Sequence, residues 1–360
     1  MLAALVLVHW YFWVRLFEGP GWSPGIATAG AAALVALAAA IPLGALAWRV
    51  WPVRASAGLA WVGFAWLGVL FYVLLGLVVT EPWAASAARE TAIGVVGLAG
   101  AIGTFGVWSA ARAPVVVAVR AEIAELPAGF EGFRIAVVSD IHIGPTLGAE
   151  FARAVADRVN QLEADMIAVV GDVVDGTVEG LGARVAPLAA LSARDGVFFV
   201  TGNHEYYVDA GAWRAYWRGH GWRVLENAHV TLFRGDDALV IAGVEDPSAR
   251  HFGGASDVAR AVADAGPGPI VLLAHRPSDA RAAARLGVDL VLSGHTHGGQ
   301  MAPLQLLWRI AHPVVRGSRR LGPQGKTLAW VGQGTGYWGA PLRVGTQAEI
   351  GLVTLTRRRA

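Results

Sequence analysis

Hydrophobic and polar positions follow different patterns in the two parts of this chain. Residues 1–111 hold four long apolar stretches, at residues 2–17, 26–48, 59–79 and 92–111. Because a membrane-spanning helix needs about 20 apolar residues, we predict a four-helix transmembrane region over residues 1–111. The first stretch is short and carries His9 and Arg15. A cleaved signal peptide is its alternative, although a basic start and a small-residue cleavage site are missing.

Tryptophan and arginine positions predict how these stretches lie in a bilayer. Several tryptophans lie near the stretch ends, as in an interfacial aromatic belt: Trp10, Trp13, Trp22, Trp48, Trp51 and Trp83. Arg49 and Arg54 lie between the second and third stretches, and Arg112 and Arg120 follow the fourth. The positive-inside rule therefore predicts that the N-terminus, the second loop and the C-terminal domain are cytoplasmic, although Arg15 opposes this orientation.

After residue 111 the pattern is that of an α/β domain. Short buried strands are predicted at residues 134–139, 166–170, 197–201, 270–274 and 290–293, and helices at 149–164, 256–265 and 278–286. A hairpin at 229–234 and 239–243 and late strands at 328–331 and 349–355 indicate a second sheet. Such alternation favours parallel central strands. We predict a junction with a first strand at 112–133, a folded domain at 134–356 and a basic tail at 357–360.

Composition agrees with a membrane part joined to a water-soluble part. The 360 residues are 55% hydrophobic with a mean hydropathy of +0.48, which is rare for a soluble chain. A net charge of +2 does not favour nucleic acid as a partner. The absence of cysteine excludes disulfides and thiolate zinc sites. The use of arginine, with Lys326 as the single lysine, is typical of GC-rich coding and predicts a bacterial cell membrane as the location.

Five short polar blocks follow the apolar runs of the domain. They are Asp140-Ile-His142, Gly171-Asp172-Val-Val-Asp175, Gly202-Asn203-His204-Glu205, His275 and Gly294-His295-Thr-His297. Each block follows a predicted strand, at the edge where α/β sheets bind ligands. Taken singly, the first two blocks are also compatible with an ordinary turn and a helix cap. Five histidines outside the blocks are interpreted as surface, turn or core residues: His9, His220, His229, His251 and His312.

Together the blocks predict one site for two divalent cations. They supply carboxylates, imidazoles and one amide, a mixed oxygen and nitrogen set that favours Mn, Fe, Zn or Co over Mg. Two metals about 3.5–4 Å apart can activate a bridging hydroxide and hold both oxygens of an in-line phosphoryl displacement.

These segments also carry a family resemblance, which covers roughly residues 115–356. The quoted motifs are Ser139-Asp-Ile-His-Ile-Gly-Pro, Gly202-Asn-His-Glu-Tyr-Tyr, Leu292-Ser-Gly-His-Thr-His-Gly-Gly-Gln300 and Gly334-Thr-Gly-Tyr-Trp-Gly-Ala-Pro-Leu-Arg343. In this order they resemble the calcineurin-like metallophosphoesterases, and in particular a bacterial membrane-associated branch similar to YkuE and YaeI. The resemblance implies a four-layer α-β-β-α sandwich, here preceded by the transmembrane helices.

The resemblance also implies a role for each residue. The first metal would be held by Asp140, His142, Asp172 and His297, and the second by Asp172, Asn203, His275 and His295, with Asp172 bridging. His204 would act as general acid or bind phosphate, and Asp175 would orient it.

One position departs from the related Ser/Thr protein phosphatases, which carry an arginine directly after the second Asp of this motif. Gly176 stands there, which argues against protein phosphatase activity. Arg343 is a candidate replacement anion ligand, with a structural surface arginine as the equal alternative. Glu205 is interpreted as a structural residue rather than a metal ligand. Gly298 and Gly299 are interpreted as tight-turn residues.

The predicted function is that of a membrane-anchored, dinuclear metal-dependent phosphohydrolase. The expected partners are the bilayer and a phosphate ester that is lipid-linked, part of the envelope or a nucleotide, cleaved by phosphodiesterase or phosphatase chemistry. The expected cofactors are two divalent ions of Mn, Fe or Zn. The alternative is a non-catalytic metal-binding sensor or scaffold. Such a protein is expected to have lost one or more metal ligands, whereas this sequence has the complete set. A transporter is disfavoured because the middle of each stretch is uncharged.

Overall fold

A computed structural model describes residues 2–51, 53–83 and 86–358. Its internal contacts divide the chain into two units. The helical unit comprises Met1–Ala111 with Trp338–Val344, and the sheet unit comprises Arg112–Tyr337 with Gly345–Ala360.

Four α-helices lie in the helical unit among the described residues: α1 (Leu2–Trp13), α2 (Pro24–Val50), α3 (Val53–Val79) and α4 (Ala88–Ala110). Within the part of the chain that the structure describes, three segments are long and apolar enough to cross a membrane, namely Pro24–Trp48, Ser56–Val79 and Ala88–Ala110. The prediction of four spans is therefore wrong in number. Helix α1 has only 12 residues before the chain turns into the π-helical segment Val14–Glu18. At 1.5 Å per residue it covers about 18 Å, well short of a bilayer core of about 30 Å.

Small residues bring α2 and α3 close together. A side-chain Cβ placed on Gly63 would lie 2.4 Å from the carbonyl oxygen of Ala40, and one on Gly44 would lie 2.9 Å from Cα of Ala60. In membranes such contacts let helix backbones pack closely. Pro42 lies inside α2 without ending it.

The segment Trp338–Val344 packs within the helical unit although it is distant in sequence. Leu342 is fully buried, beside Gly68 of α3 and Gly106 of α4. The backbone N–H of Arg343 donates to the carbonyl oxygen of Gly106 at 2.9 Å.

The sheet unit contains two six-stranded sheets. The first has the spatial order β1 (Val115–Ile123), β12 (Glu349–Arg357), β2 (Arg134–Val138), β3 (Met166–Val170), β4 (Val197–Val200) and β5 (Arg223–Val224). The second has the order β10 (Gly317–Leu321), β11 (Thr327–Val331), β9 (Leu290–Ser293), β8 (Ile270–Leu273), β7 (Asp237–Gly243) and β6 (Ala228–Arg234).

Central strands run parallel in both sheets, as the alternating pattern predicts. Strands β2 to β5 are parallel neighbours, and so are β7, β8, β9 and β11. Strand β12 is parallel to β1 and antiparallel to β2. Strand β1 lies inside the predicted junction and runs to Ile123, because it pairs with β12 along its whole length. The predicted α/β fold of two sheets with helices is confirmed.

The helices of the sheet unit are α5 (Ala149–Asn160), α6 (Val178–Val185), α7 (Asn203–Val208), α8 (Ala210–Gly219), α9 (Val258–Val262), α10 (Ala280–Arg285) and α11 (Gln305–Ala311). Helix α5 ends before its predicted limit, and Glu163 adopts a left-handed backbone with φ 47° beyond it. The two sheets pack face to face through side chains such as Phe198, Ile241 and Leu292. A second apolar cluster joins the other face of the second sheet to α9 and α10.

Candidate metal centre

Predicted ligand residues lie directly after strands of both sheets. Asp140 and His142 follow β2, Asp172 follows β3, and Asn203 begins α7 after β4. From the second sheet, His275 follows β8, and His295 and His297 follow β9. The structure brings the carboxylates and imidazoles together in overlapping groups whose possible ligand atoms lie within 4.8 Å of one another.

The first group consists of Asp140, His142 and His297. The Nε2 atoms of His142 and His297 are 3.2 Å apart, and Nε2 of His297 lies 3.4 Å from Oδ1 of Asp140. All three residues are buried. Two imidazoles and one carboxylate therefore point toward a common centre, as in a divalent cation site.

A second group consists of Asp172, His275 and His295. Nε2 of His275 lies 3.2 Å from Oδ2 of Asp172 and 3.2 Å from Nδ1 of His295. The same Asp172 oxygen is 3.9 Å from Nε2 of His142, a member of the first group. Asp172 thus adjoins both groups, which is the position required of a bridging carboxylate.

Asn203 provides an independent test of whether a cation fits this site. Its Oδ1 atom is buried and lacks a hydrogen-bond partner among the described residues. A buried amide oxygen without a partner is costly, and a metal ion satisfies it. The orientation of the His275 ring also fits a cation site, because its Nδ1 lies 2.8 Å from the carbonyl oxygen of Val170. This contact directs the other ring nitrogen, Nε2, to the site.

Backbone strain is concentrated at the ligands. Five of them adopt left-handed conformations with φ between 50° and 70°: Asp140, His142, Asp172, His295 and His297. Non-glycine residues rarely occupy this region, and such strain clusters at functional sites. The strain allows side chains two residues apart to turn toward one centre.

The carboxylates of the site are held in their charged form. Burial alone would raise the pKa of Asp172, but His275 and His204 outweigh it and hold that pKa well below its usual range. Burial would likewise raise the pKa of Asp140, and His297 lowers it. The buried negative charge is a field that favours a cation.

Asp175 and His204 form a pair beside the first group, and His204 also belongs to a third possible ligand group with His142 and Asp172. Oδ1 of Asp175 lies 2.8 Å from Nδ1 of His142 and 2.7 Å from Nδ1 of His204. Burial alone would lower the pKa of His204, but Asp172 and Asp175 outweigh it and raise that pKa to about 9. These carboxylates therefore favour the protonated form of His204.

Glu205 supports the loops that carry the ligands. Its buried carboxylate accepts the backbone N–H groups of Gly202, Asp172 and Val173 at 2.7, 3.0 and 2.8 Å. These bonds link the end of β3 to the start of α7. They agree with the interpretation of Glu205 as a structural residue.

The glycine-rich C-terminal motif supports the first ligand loop. The backbone N–H of Thr335 donates to the carbonyl oxygen of Ser139, and that of Gly336 to Asp140, both at 2.8 Å. A Cβ on Gly336 would lie 2.1 Å from the carbonyl oxygen of Ile141. Only glycine permits this approach to the segment between Asp140 and His142.

Two other positions singled out in the sequence have distinct environments. The carbonyl oxygen of Gly176 accepts a hydrogen bond from Nε1 of Trp213 at 2.9 Å, and the position offers no side chain to a phosphate. Arg343 is fully buried and belongs to the helical unit, whereas the metal-ligating groups belong to the sheet unit. Its assignment as an anion ligand stays a prediction.

Sequence reasoning missed the residues that pack around His295. The rings of Trp308 and His312 both lie 5.5 Å from the His295 ring. Burial lowers the pKa of His312 to about 4, so this imidazole is neutral. His312 lies outside the five blocks and lacks a strand before it, so the pattern gave no signal for it.

Known proteins are similar in sequence to the part of the chain that carries this site. Residues 133–299 match the family model described as calcineurin-like phosphoesterase. An uncharacterized metallophosphoesterase of Aquifex aeolicus is 34% identical over 65% of this chain and 88% of its own length. The chain belongs to the calcineurin-like phosphoesterase family. The predicted family is thereby confirmed.

Two further relatives also carry the word metallophosphoesterase in their names. A "transmembrane protein with metallophosphoesterase domain" of Danio rerio is 35% identical over 76% of this chain and 64% of its own length. The uncharacterized metallophosphoesterase YkuE of Bacillus subtilis is 29% identical over 64% of this chain and 81% of its own length. The chain spans about 60% of the length of the first such relatives, between 58% and 64%.

Proposed function

We propose that this protein is a membrane-anchored phosphohydrolase that uses two divalent cations, with Mn, Fe or Zn as the candidates. The observation that carries the proposal is the position of Asp172, whose Oδ2 lies 3.2 Å from His275 and 3.9 Å from His142. One carboxylate therefore serves both ligand groups. Asp140, His142, Asp172 and His297 would hold one cation, and Asp172, Asn203, His275 and His295 the other.

Bound divalent cations supply Lewis-acid activation of water and neutralise charge on the phosphoryl oxygens. The residues of the chain supply the other steps. His204, protonated and oriented by Asp175, donates a proton to the leaving oxygen or binds the phosphoryl group. Asp175 also contacts Nδ1 of His142, so one carboxylate orients the imidazole rings of both His142 and His204.

The substrate class we propose is a phosphate ester with a lipid or other envelope-linked group, and a nucleotide ester is the second candidate. The three membrane-length helices support the first because they keep the enzyme at a bilayer. Gly176 in place of an arginine disfavours phosphoproteins as substrates.

We further propose that the sheet unit lies on the cytoplasmic side of a bacterial cell membrane. With three spans, the loop that carries Arg49 and Arg54 and the segment after α4 share one side. The N-terminus then lies on the other side, whereas the four-span prediction places it in the cytoplasm. Proteolysis of sealed inverted and right-side-out vesicles tests this orientation.

Asp172→Asn tests the two-cation mechanism. Hydrolysis of bis(4-nitrophenyl) phosphate by the Mn²⁺-loaded full-length protein should fall at least about a hundredfold, because one charge is lost from both ligand groups. Asp209→Asn, at the N-cap of α8, is the matched control and should keep its rate. Equal turnover by both variants would contradict the mechanism. Stoichiometric metal without turnover in the wild type would favour the scaffold alternative.

A further inference from the structure

Helix α11 presents an apolar face to the outside of the sheet unit. Leu306, Leu307 and Ile310 are 58%, 64% and 82% exposed, and Ala311 is exposed beside them. At 100° per residue these four positions share one side of the helix. A cluster of this kind on a folded unit marks an interaction surface rather than a core.

The opposite side of α11 connects this face to the metal centre. Trp308 points inward, and its ring lies edge-on to that of His295 at 5.5 Å and tilted against His312 at 5.4 Å. The thickness of α11 therefore separates the exposed face from Trp308, whose ring packs on His295 of the second ligand group. Whatever the face binds is held next to the metal site.

We infer that the α11 face inserts into the surface of the bilayer that carries this protein. We define the lipid-contact face as Leu306, Leu307, Ile310 and Ala311. It holds the metal centre against the lipid headgroups, so that phosphate esters reach the site from the membrane rather than from solution. The route of the substrate from the membrane rests on the proposed function. The lipid contact of the α11 face does not depend on that function.

Charge and chain length both support lipid as the occupant. Arg309 is exposed on α11 beside the face, Arg316 and Arg319 are exposed shortly after the helix, and none of the three forms an ion pair with a carboxylate among residues 2–51, 53–83 and 86–358. Apolar side chains flanked by arginines match an anionic lipid surface. Only four residues separate the end of α4 from β1. At about 3.6 Å per residue they span about 18 Å at most, so the start of β1 is tethered within that distance of the end of α4.

The absence of cysteine from the sequence allows a direct test in the full-length protein. Ile310→Cys is labelled with a polarity-sensitive fluorophore and reconstituted into vesicles of phosphatidylcholine and phosphatidylglycerol. Phe233→Cys is the matched control, since Phe233 is a 65% exposed apolar residue on β6. An unfolding midpoint equal to that of the wild type confirms that each labelled protein is folded.

Nitroxide-labelled lipids should quench the fluorophore at position 310 several-fold more than the one at position 233. An aqueous quencher should show the reverse order. Equal lipid quenching at both positions overturns the inference. Protection at position 310 from both quenchers also overturns it, because a second copy or another protein would then cover the face. The readout needs no substrate, so its failure is distinct from a failure of the proposed hydrolysis.

Discussion

The Oδ1 atom of Asp175 lies 2.7 Å from Nδ1 of His204. This contact gives His204 its orientation and much of its proton affinity. Burial alone would lower the pKa of His204, and the carboxylates of Asp172 and Asp175 raise it to about 9. A general acid must be protonated, so the rate should fall as pH rises through the pKa of His204.

Asp175→Asn should therefore move the alkaline limb of the pH–rate profile to lower pH. The variant keeps an oxygen that can accept a hydrogen bond but loses the negative charge that stabilises the imidazolium form. The profile of kcat/KM for bis(4-nitrophenyl) phosphate between pH 6 and about 10 measures the shift. His204→Gln should lack this limb altogether. An alkaline limb unmoved in Asp175→Asn would remove His204 from the role of acid.

Asn203→Ala should weaken binding of the second cation. The substitution removes a buried oxygen that lacks a partner among the described residues, and it leaves the first ligand group intact. We expect about one tightly bound Mn²⁺ per chain rather than about two, with affinity for the other reduced at least about tenfold. Metal analysis after dialysis measures the ratio. Asn160→Ala, at the end of α5, is the control, and equal metal content in both variants would argue against Asn203 as a ligand.

Gly336→Ala should disrupt the first ligand loop. Its new methyl group would lie 2.1 Å from the carbonyl oxygen of Ile141, a backbone atom that cannot rotate away. We expect a loss of roughly 1–3 kcal/mol in unfolding free energy, together with reduced metal content. Gly180→Ala in α6 is the control, because its nearest neighbour is 3.7 Å away and alanine favours a helix interior. A Gly336→Ala protein as stable as the control would contradict the close approach of these two segments.

Asp279 should make stability depend on pH. Burial, reinforced by Asp246, raises the pKa of this carboxyl to about 7, whereas an unfolded Asp titrates near about 3.9. Between these values the folded state holds a proton that the unfolded chain has lost, so stability falls as pH rises through that window. The loss is about 1–2 kcal/mol after allowance for partial exposure.

Asp279→Asn should flatten this dependence. Thermal unfolding of the detergent-solubilised protein at pH 5 and at pH 8 measures this dependence. From pH 5 to pH 8 the unfolding temperature of the wild type should fall further than that of the variant. Asp236→Asn, on an exposed turn, is the control and should behave like the wild type. Parallel loss in all three proteins would show that other groups set the pH dependence.

The residues of the candidate metal groups could be predicted from the sequence because each follows a buried strand. Asp172 and His275 belong to different sheets and are 103 positions apart by number, yet their strand ends meet. The structural support for the site could not be predicted in the same way. Gly336 acts through its own backbone, and Glu205, although interpreted as structural, contacts backbone N–H groups that no pattern of residue types identifies. His312 reaches His295 through the path of a loop, which the periodicity of strands does not encode.

The membrane part shows the same limit. Apolar length predicts α2, α3 and α4, but it overstates the first stretch because the departure from α-helical geometry at Val14 is invisible to hydropathy. The inclusion of Trp338–Val344 in the helical unit could not be predicted either, because the sequence around Leu342 has the pattern of a glycine-rich loop.

The position of β12 between β1 and β2 has a consequence for biosynthesis. A ribosome releases β1 and β2 early, and the first sheet stays split between them until the residues of β12 have emerged. Every metal ligand is translated before that strand, so nascent chains expose unfinished sheet edges while already tethered to a membrane. Contacts this far apart in sequence form slowly. A stop codon before residue 349 would leave a membrane-anchored chain whose first sheet lacks β12. Quality-control proteases should degrade such a chain whether or not it has bound metal.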